Sequence, residues 1–164
     1  MNDSSSAVIL NAGELLDHWQ GHRRLTRRVI EAFPEDKLFT FSVGGMRPFG
    51  KMALEMISMA SGVEGLATRQ WKKVSELPHH AGTAEPTSRA ELLRLWDATT
   101  AQIDDTWPKI PAGRFREIDR AFGQWEGIVY GLFLYWIDNE IHHRGQGYVY
   151  LRALGIDPPG FWER

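Results

Sequence analysis

The chain has 164 residues, 43% of them hydrophobic, and a formal net charge of −2. That length supports one domain with a sizeable core, and the weak negative charge argues against nucleic acid or an anionic membrane as the main partner. There is no cysteine, which excludes disulfides, thiolate metal ligands and a cysteine nucleophile.

The polar start, Met1 to Ser6, lacks the basic-then-apolar order of a signal peptide. A first helix is predicted from about Asn11 to Phe33, stopped by Pro34, with Leu15, Trp19, His22, Leu25 or Thr26, Val29 and Phe33 on its inward stripe. The basic cluster Arg23, Arg24, Arg27 and Arg28 reads as a solvated face, because Glu31 and Glu35 follow closely. A second helix opens near Pro48, whose missing N–H suits a first turn. Its stripe is Phe49, Met52, Met56, Met59, Val63 and Leu66, and the pattern fades after Trp71.

Pro78 to Pro86 reads as a loop, with His79 and His80 exposed on it and without a role. Ser88-Arg89-Ala90-Glu91 is a capping box that starts a third helix, which carries Leu92, Trp96, Thr99, Ile103 and Trp107 and ends at Pro108 and Pro111. Residues Arg114 to Gln124 carry no assignable pattern. A fourth helix is predicted over Glu126 to Leu154, capped by Gly155. It is apolar nearly all round in its first half, which makes it the expected central helix. Its longest uncharged run, Gly127 to Ile137, falls short of the about 20 residues a bilayer span needs. The expectation is a soluble, cytoplasmic, all-α single domain over residues 1–164: a four-helix bundle with a long connection between the second and third helices.

The chemistry concentrates in Asn139 to Gln146. Asn139 and His143 lie four residues apart, about 40° around one helix face, the spacing at which one helix offers two metal ligands. Leu132, Tyr135, Trp136, His142, Gln146 and Tyr150 share that side, so a polar band flanked by aromatics is expected, as in a bundle-core pocket. A satisfied hydrogen-bond network without a ligand is the competing reading. Glu55 points along an apolar stripe between Met52 and Met59 and there requires a cation, a protonated histidine or a strong donor. His18 and His22 form a second pair at metal-ligand spacing, on the first helix. Gly44-Gly45 lacks the strand and the Lys-Ser/Thr continuation of a phosphate loop, and no nucleophile elbow is present.

Two segments then carry a resemblance. Glu140-Ile141-His142-His143-Arg144-Gly145-Gln146, followed by Tyr150-Leu151-Arg152-Ala153-Leu154-Gly155-Ile156-Asp157-Pro158-Pro159, resembles the late motif and tail of the DinB superfamily of four-helix metalloenzymes. Met46-Arg47-Pro48-Phe49-Gly50 resembles the start of that family's second helix, and Leu15 to Leu38 its first. The resemblance implies a divalent metal (Zn, Ni, Mn or Fe) held by three histidines, one on the second helix and two, four apart, on the fourth. Carried over, those positions are Glu55, Asn139 and His143. Two oxygen donors in place of imidazoles would lower the site charge and favour harder ions such as Mn²⁺ or Mg²⁺. His22 would then serve as an extra ligand or general base, with His18, Trp19, Trp136, His142 and Gln146 around the site.

The resemblance further implies chemistry with a low-molecular-weight thiol, as in bacillithiol-dependent S-transferases and mycothiol-dependent isomerases, where the metal acidifies the thiol. The leading expectation is therefore a divalent-metal-dependent enzyme transferring a small thiol to an electrophilic substrate, as a homodimer. The alternatives are a non-catalytic member holding a small apolar ligand among Trp19, Trp136 and Tyr135, and a structural dimer with a hydrogen-bonded polar core. In a metal-free core, Glu55→Gln is expected to be neutral or stabilising.

Overall fold

The computed structural model describes residues 9–77 and 85–164; the loop histidines His79 and His80 lie outside them. Helix α1 spans Ala12–Ala32, α2 Phe49–Ala60, α3 Val63–Thr68, α4 Arg89–Thr106 and α5 Val129–Ala153. Strands β1 (Ile118–Ala121) and β2 (Trp125–Ile128) pair antiparallel just before α5. The chain is mostly helical, in a four-helix arrangement. The main packing runs around a ring, with α1 and α2 each lying against both α4 and α5.

The termini of these helices follow from their own residues. Asn11 caps α1 through a reciprocal pair: its Oδ1 accepts from Glu14 N–H at 3.0 Å, and the Glu14 carboxylate accepts from Asn11 N–H at 2.8 Å. Ser88 caps α4 by accepting from Glu91 N–H at 3.2 Å, but Glu91 accepts from Thr87 N–H at 3.1 Å rather than closing the box on Ser88. Half of the predicted capping box forms, one residue off register on the return bond.

Three expectations change. The second predicted helix is two, α2 and α3, broken at Ser61-Gly62. A Cβ on Gly62 would lie 2.7 Å from the Trp136 ring and 2.8 Å from Phe122, so the break brings the backbone against two aromatics that no larger residue would admit. The unassigned stretch contains a 3₁₀ turn, Ala112–Arg116, and the β-hairpin, so α5 starts at Val129 rather than Glu126. Phe122 and Gly123 make the hairpin turn at φ 53° and 72°. Arg114, 1% exposed, ties the hairpin to α3 by donating from Nε to Leu66 O at 2.9 Å and by pairing with Glu117 and Asp119. Finally, α5 is not central. Two of its faces bury against α1 and α2, and the third carries exposed Tyr130, Leu134, Ile141 and Val149.

The core has two apolar clusters. One gathers Trp19, Trp107, Phe133 and Trp136; the other gathers Phe33, Phe49, Met52, Trp96 and Tyr150. Between them, on α1 and α5, runs a buried polar layer of His22, Arg23, Thr26, Glu140, His143 and Arg144. Four of the seven tryptophans are buried in the two clusters. Much of the tryptophan content is thus absorbed by the core.

Candidate functional site

Glu55 on α2 meets Asn139 and His143 on α5. Asn139 donates from Nδ2 to Glu55 Oε1 at 3.1 Å, and His143 Nε2 faces the same oxygen at 3.2 Å. The second carboxylate oxygen is taken by a residue absent from the expected set: Arg47, whose Nη2 lies 2.6 Å from Glu55 Oε2. Arg47 is set at the entry to α2 by Pro48 and by Tyr150, which donates from its hydroxyl to Arg47 O at 2.9 Å. The hydrogen bond from His143, then those from Arg47 and Asn139, hold the Glu55 carboxyl well below the usual carboxylate range, outweighing its partial burial. On the far side of the His143 ring, Nδ1 lies 2.7 Å from Gln146 Oε1, while the Gln146 amide donates toward Met46 Sδ at 3.3 Å.

The Glu55 side chain is 20% exposed and that of Arg47 51%. The exposure opens onto a cavity of about 590 Å³ between α2, α5 and the hairpin. Arg47 and Glu55 are its charged lining residues, and Met59, Trp125, Leu132, Tyr135 and Trp136 are its larger apolar walls. Ala121 and Gly131 complete it, small residues that keep the space open. The cavity is thus an apolar chamber with one ionic end, the usual composition of a small-molecule site.

The remaining candidates fall elsewhere. His22 is 3% exposed and belongs to the layer between α1 and α5. Its Nδ1 lies 3.0 Å from Arg144 Nη2, and its Nε2 lies 3.2 Å from both His18 Nε2 and Arg164 Nη1. None of its hydrogen bonds reaches Glu55, Asn139 or His143. Burial first, then Arg144, His18 and Arg164, lower its pKa to about 3, so it stays a neutral imidazole near neutral pH. His18 and His142 are exposed, and the His142 ring sits 5.0 Å from that of His143 without a hydrogen bond to it. Trp19 packs in the core at 6.3 Å from Trp136 and does not line the cavity.

The polar layer holds two residues that periodicity alone did not single out. Arg23, read from sequence as part of a solvated face, is fully buried with its guanidinium 3.5 Å over the Trp96 ring. It donates to Thr100 Oγ1 at 3.1 Å and to Trp96 O at 3.1 Å, and lies 3.7 Å from Glu140 Oε2. Glu140 accepts from Thr26 Oγ1 at 2.7 Å, and burial pushes its carboxyl upward. Arg27, half-buried, and Arg28, exposed, are instead paired with Asp97 and Glu163.

Whether a divalent ion suits the Glu55 centre can be judged from its donors. Both ring nitrogens of His143 are engaged, Nε2 at 3.2 Å from Glu55 Oε1 and Nδ1 at 2.7 Å from Gln146 Oε1. Asn139 presents its N–H to the centre, while its Oδ1 is buried with no donor. Arg47 already brings a full positive charge to the second Glu55 oxygen. As arranged, the donor set does not fit a divalent ion: it offers one carboxylate, a committed imidazole and an amide N–H around a guanidinium.

Among the described residues no helix is long and apolar enough to cross a membrane. A DinB-like protein from Bacillus cereus ATCC 10987 is similar in structure, with a TM-score of 0.72 and 15% identity, covering 92% of this chain and 97% of that one. A DinB-like protein from Bacillus subtilis (YjoA) aligns with a TM-score of 0.70 and 16% identity, covering 92% and 99%. A comparison with curated proteins finds no match. The model of the DinB family matches residues 1–164, and with the architecture above this chain belongs to the DinB family.

Proposed function

We propose that this DinB-family chain binds a small, largely apolar molecule in the cavity between α2, α5 and the hairpin, without a divalent metal. The observation that carries the reading is the joining of an about 590 Å³ aromatic-walled chamber to the Arg47–Glu55 pair. At the position where the family resemblance implies a metal ion, a guanidinium supplies the positive charge. The thiol transfer that the resemblance implies needs an ion to acidify the thiol, so ligand binding, not group transfer, is the activity proposed.

What the chain's own residues do follows from their contacts. Trp125, Leu132, Tyr135 and Trp136 exclude water and supply contact area. Glu55, His143 and Asn139 orient Arg47 at the end of the chamber and tie α2 to α5 there. A homodimer is also proposed, through the exposed α5 stripe of Tyr130, Leu134, Ile141 and Val149.

Titration with naphthalenemethanol, followed by quenching of tryptophan fluorescence, tests the reading. Trp125 and Trp136 line the chamber and should report saturable binding. Gly131→Phe should fill the space, since a Cβ there meets only Ile128 at 3.4 Å, and should abolish the signal. Unsaturable quenching, or equal binding by Gly131→Phe, would refute it.

A further inference from the structure

The hydrogen-bonding inventory at the ionic end of the chamber restricts the ligand further; the argument rests on the pocket reading above. Both oxygens of Glu55 are engaged, by Asn139, His143 and Arg47. Asn139 Oδ1 is the acceptor there without a donor, and it is sealed from solvent, so it is closed to a molecule in the chamber. What remains open is donor capacity. A guanidinium carries five N–H groups in a planar fork; that of Arg47 is committed only toward Glu55 among the described residues, and its side chain is half exposed where the chamber begins. The chamber's other walls are Met59, Ala121, Trp125, Gly131, Leu132, Tyr135 and Trp136, none of them charged.

We infer that the chamber takes a small organic anion, an aromatic or branched aliphatic carboxylate whose acid group meets Arg47 and whose body lies against Trp125, Tyr135 and Trp136. The one unfilled acceptor, Asn139 Oδ1, is sealed from the chamber, while the Arg47 donors open onto it, so a carboxylate completes the inventory, whereas an amine would find Glu55 already occupied. The guanidinium fork matches a carboxylate in two parallel hydrogen bonds and can hold Glu55 on one edge and the ligand on another. Glu55 thereby becomes a positioning residue: it fixes the plane of Arg47 and does not touch the ligand.

Calorimetric titration of the full chain with naphthylacetate, naphthylacetamide and naphthylmethylamine separates the possibilities, because the three share one apolar body. The carboxylate should bind at least about tenfold tighter than the amide, a difference of about 1.4 kcal/mol, and the amine weakest. Arg47→Gln should reduce the carboxylate preference to less than about twofold, through lost carboxylate affinity; circular dichroism confirms that the variant is folded. Arg47→Lys should retain part of the preference, since it keeps the charge and loses the fork. Equal binding of carboxylate and amide, or preference for the amine, would overturn the anion assignment and leave the pocket reading standing. Failure of all three probes to bind would overturn both.

Discussion

Replacing Glu55 by glutamine probes the centre most informatively, because the structure reverses the sign expected from sequence. For a metal-free core the sequence calls for a carboxyl that is protonated or paired with a histidinium, where a neutral amide is expected to be harmless or stabilising. Instead the carboxylate is ionised and accepts from Asn139 and His143 while paired with Arg47. Hydrogen bonds to a charged group contribute about 1.5–3 kcal/mol each when buried, and a surface pair at most about 1 kcal/mol. Arg47 is half exposed, so its share lies at the lower value, and the glutamine oxygen keeps one of the two inner bonds. The net loss is about 2 kcal/mol, equivalent to roughly a 4–8 °C fall in Tm for a chain of this size. Thermal melts followed by circular dichroism, with and without a chelator, measure it. An unchanged or raised Tm in Glu55→Gln would refute the ion-pair account of the centre.

Three further outcomes follow from other parts of the fold. Below pH 6.5 the unfolded chain takes a proton on His22 that the folded chain refuses until about pH 3, so stability should fall with decreasing pH at up to about 1.4 kcal/mol per unit in that window; urea melts from pH 7 to 5 should show a slope that His22→Gln lacks, and equal slopes would contradict the buried neutral imidazole. Gly147 faces α2 so closely that a Cβ would lie 2.5 Å from the Phe49 ring, and Gly147→Ala should cost about 1–3 kcal/mol of stability by overpacking; a neutral result in the same melts would mean that α2 and α5 are further apart than described. Ile141→Lys on the exposed α5 stripe should shift a dimer to monomer in sedimentation velocity without lowering the monomer's helix content, and a wild-type chain that sediments as a monomer at micromolar concentration would remove the dimer proposal.

The sequence was legible where a residue's burial repeats with its helical period. Trp19, Leu25 and Val29 on α1, Phe33 at its C-cap, and Leu92, Trp96 and Ile103 on α4 are buried as their spacing predicts. The positions of Glu55, Asn139 and His143 on inward seams were readable for the same reason. Arg47 was not, because its role depends on the entry angle of the chain into α2, which Tyr150 fixes from 103 residues away. The demand of a buried carboxylate for a cation was the available signal, and Arg47 was the nearest arginine before it. His22 was assigned to the same centre on the family resemblance, as an imidazole that could restore a histidine ligand where Glu55 and Asn139 stand. The structure divides the inward polar residues between two sides of α5, with Glu140 and Arg144 toward α1 and Asn139 and His143 toward α2. The hairpin was hidden by its brevity: four-residue strands carry too little alternation to register, and its turn places Phe122 at a positive φ that residue type does not announce. Arg23 looked solvated because it stands in a basic run that Glu31 and Glu35 follow closely; the single position that turns toward Trp96 and Glu140 is set by tertiary packing.

The central claim, that Arg47 supplies at this centre the positive charge a metal would bring, is tested most directly by elemental analysis of tag-free protein. The protein would be dialysed against Zn²⁺, Ni²⁺, Mn²⁺ and Fe²⁺ in turn and then freed of unbound ion, with Arg47→Ala treated in parallel. The account predicts well below one metal per chain for the wild type with every ion. One equivalent of any of them retained by the wild-type chain, and lost on His143→Ala, would contradict it.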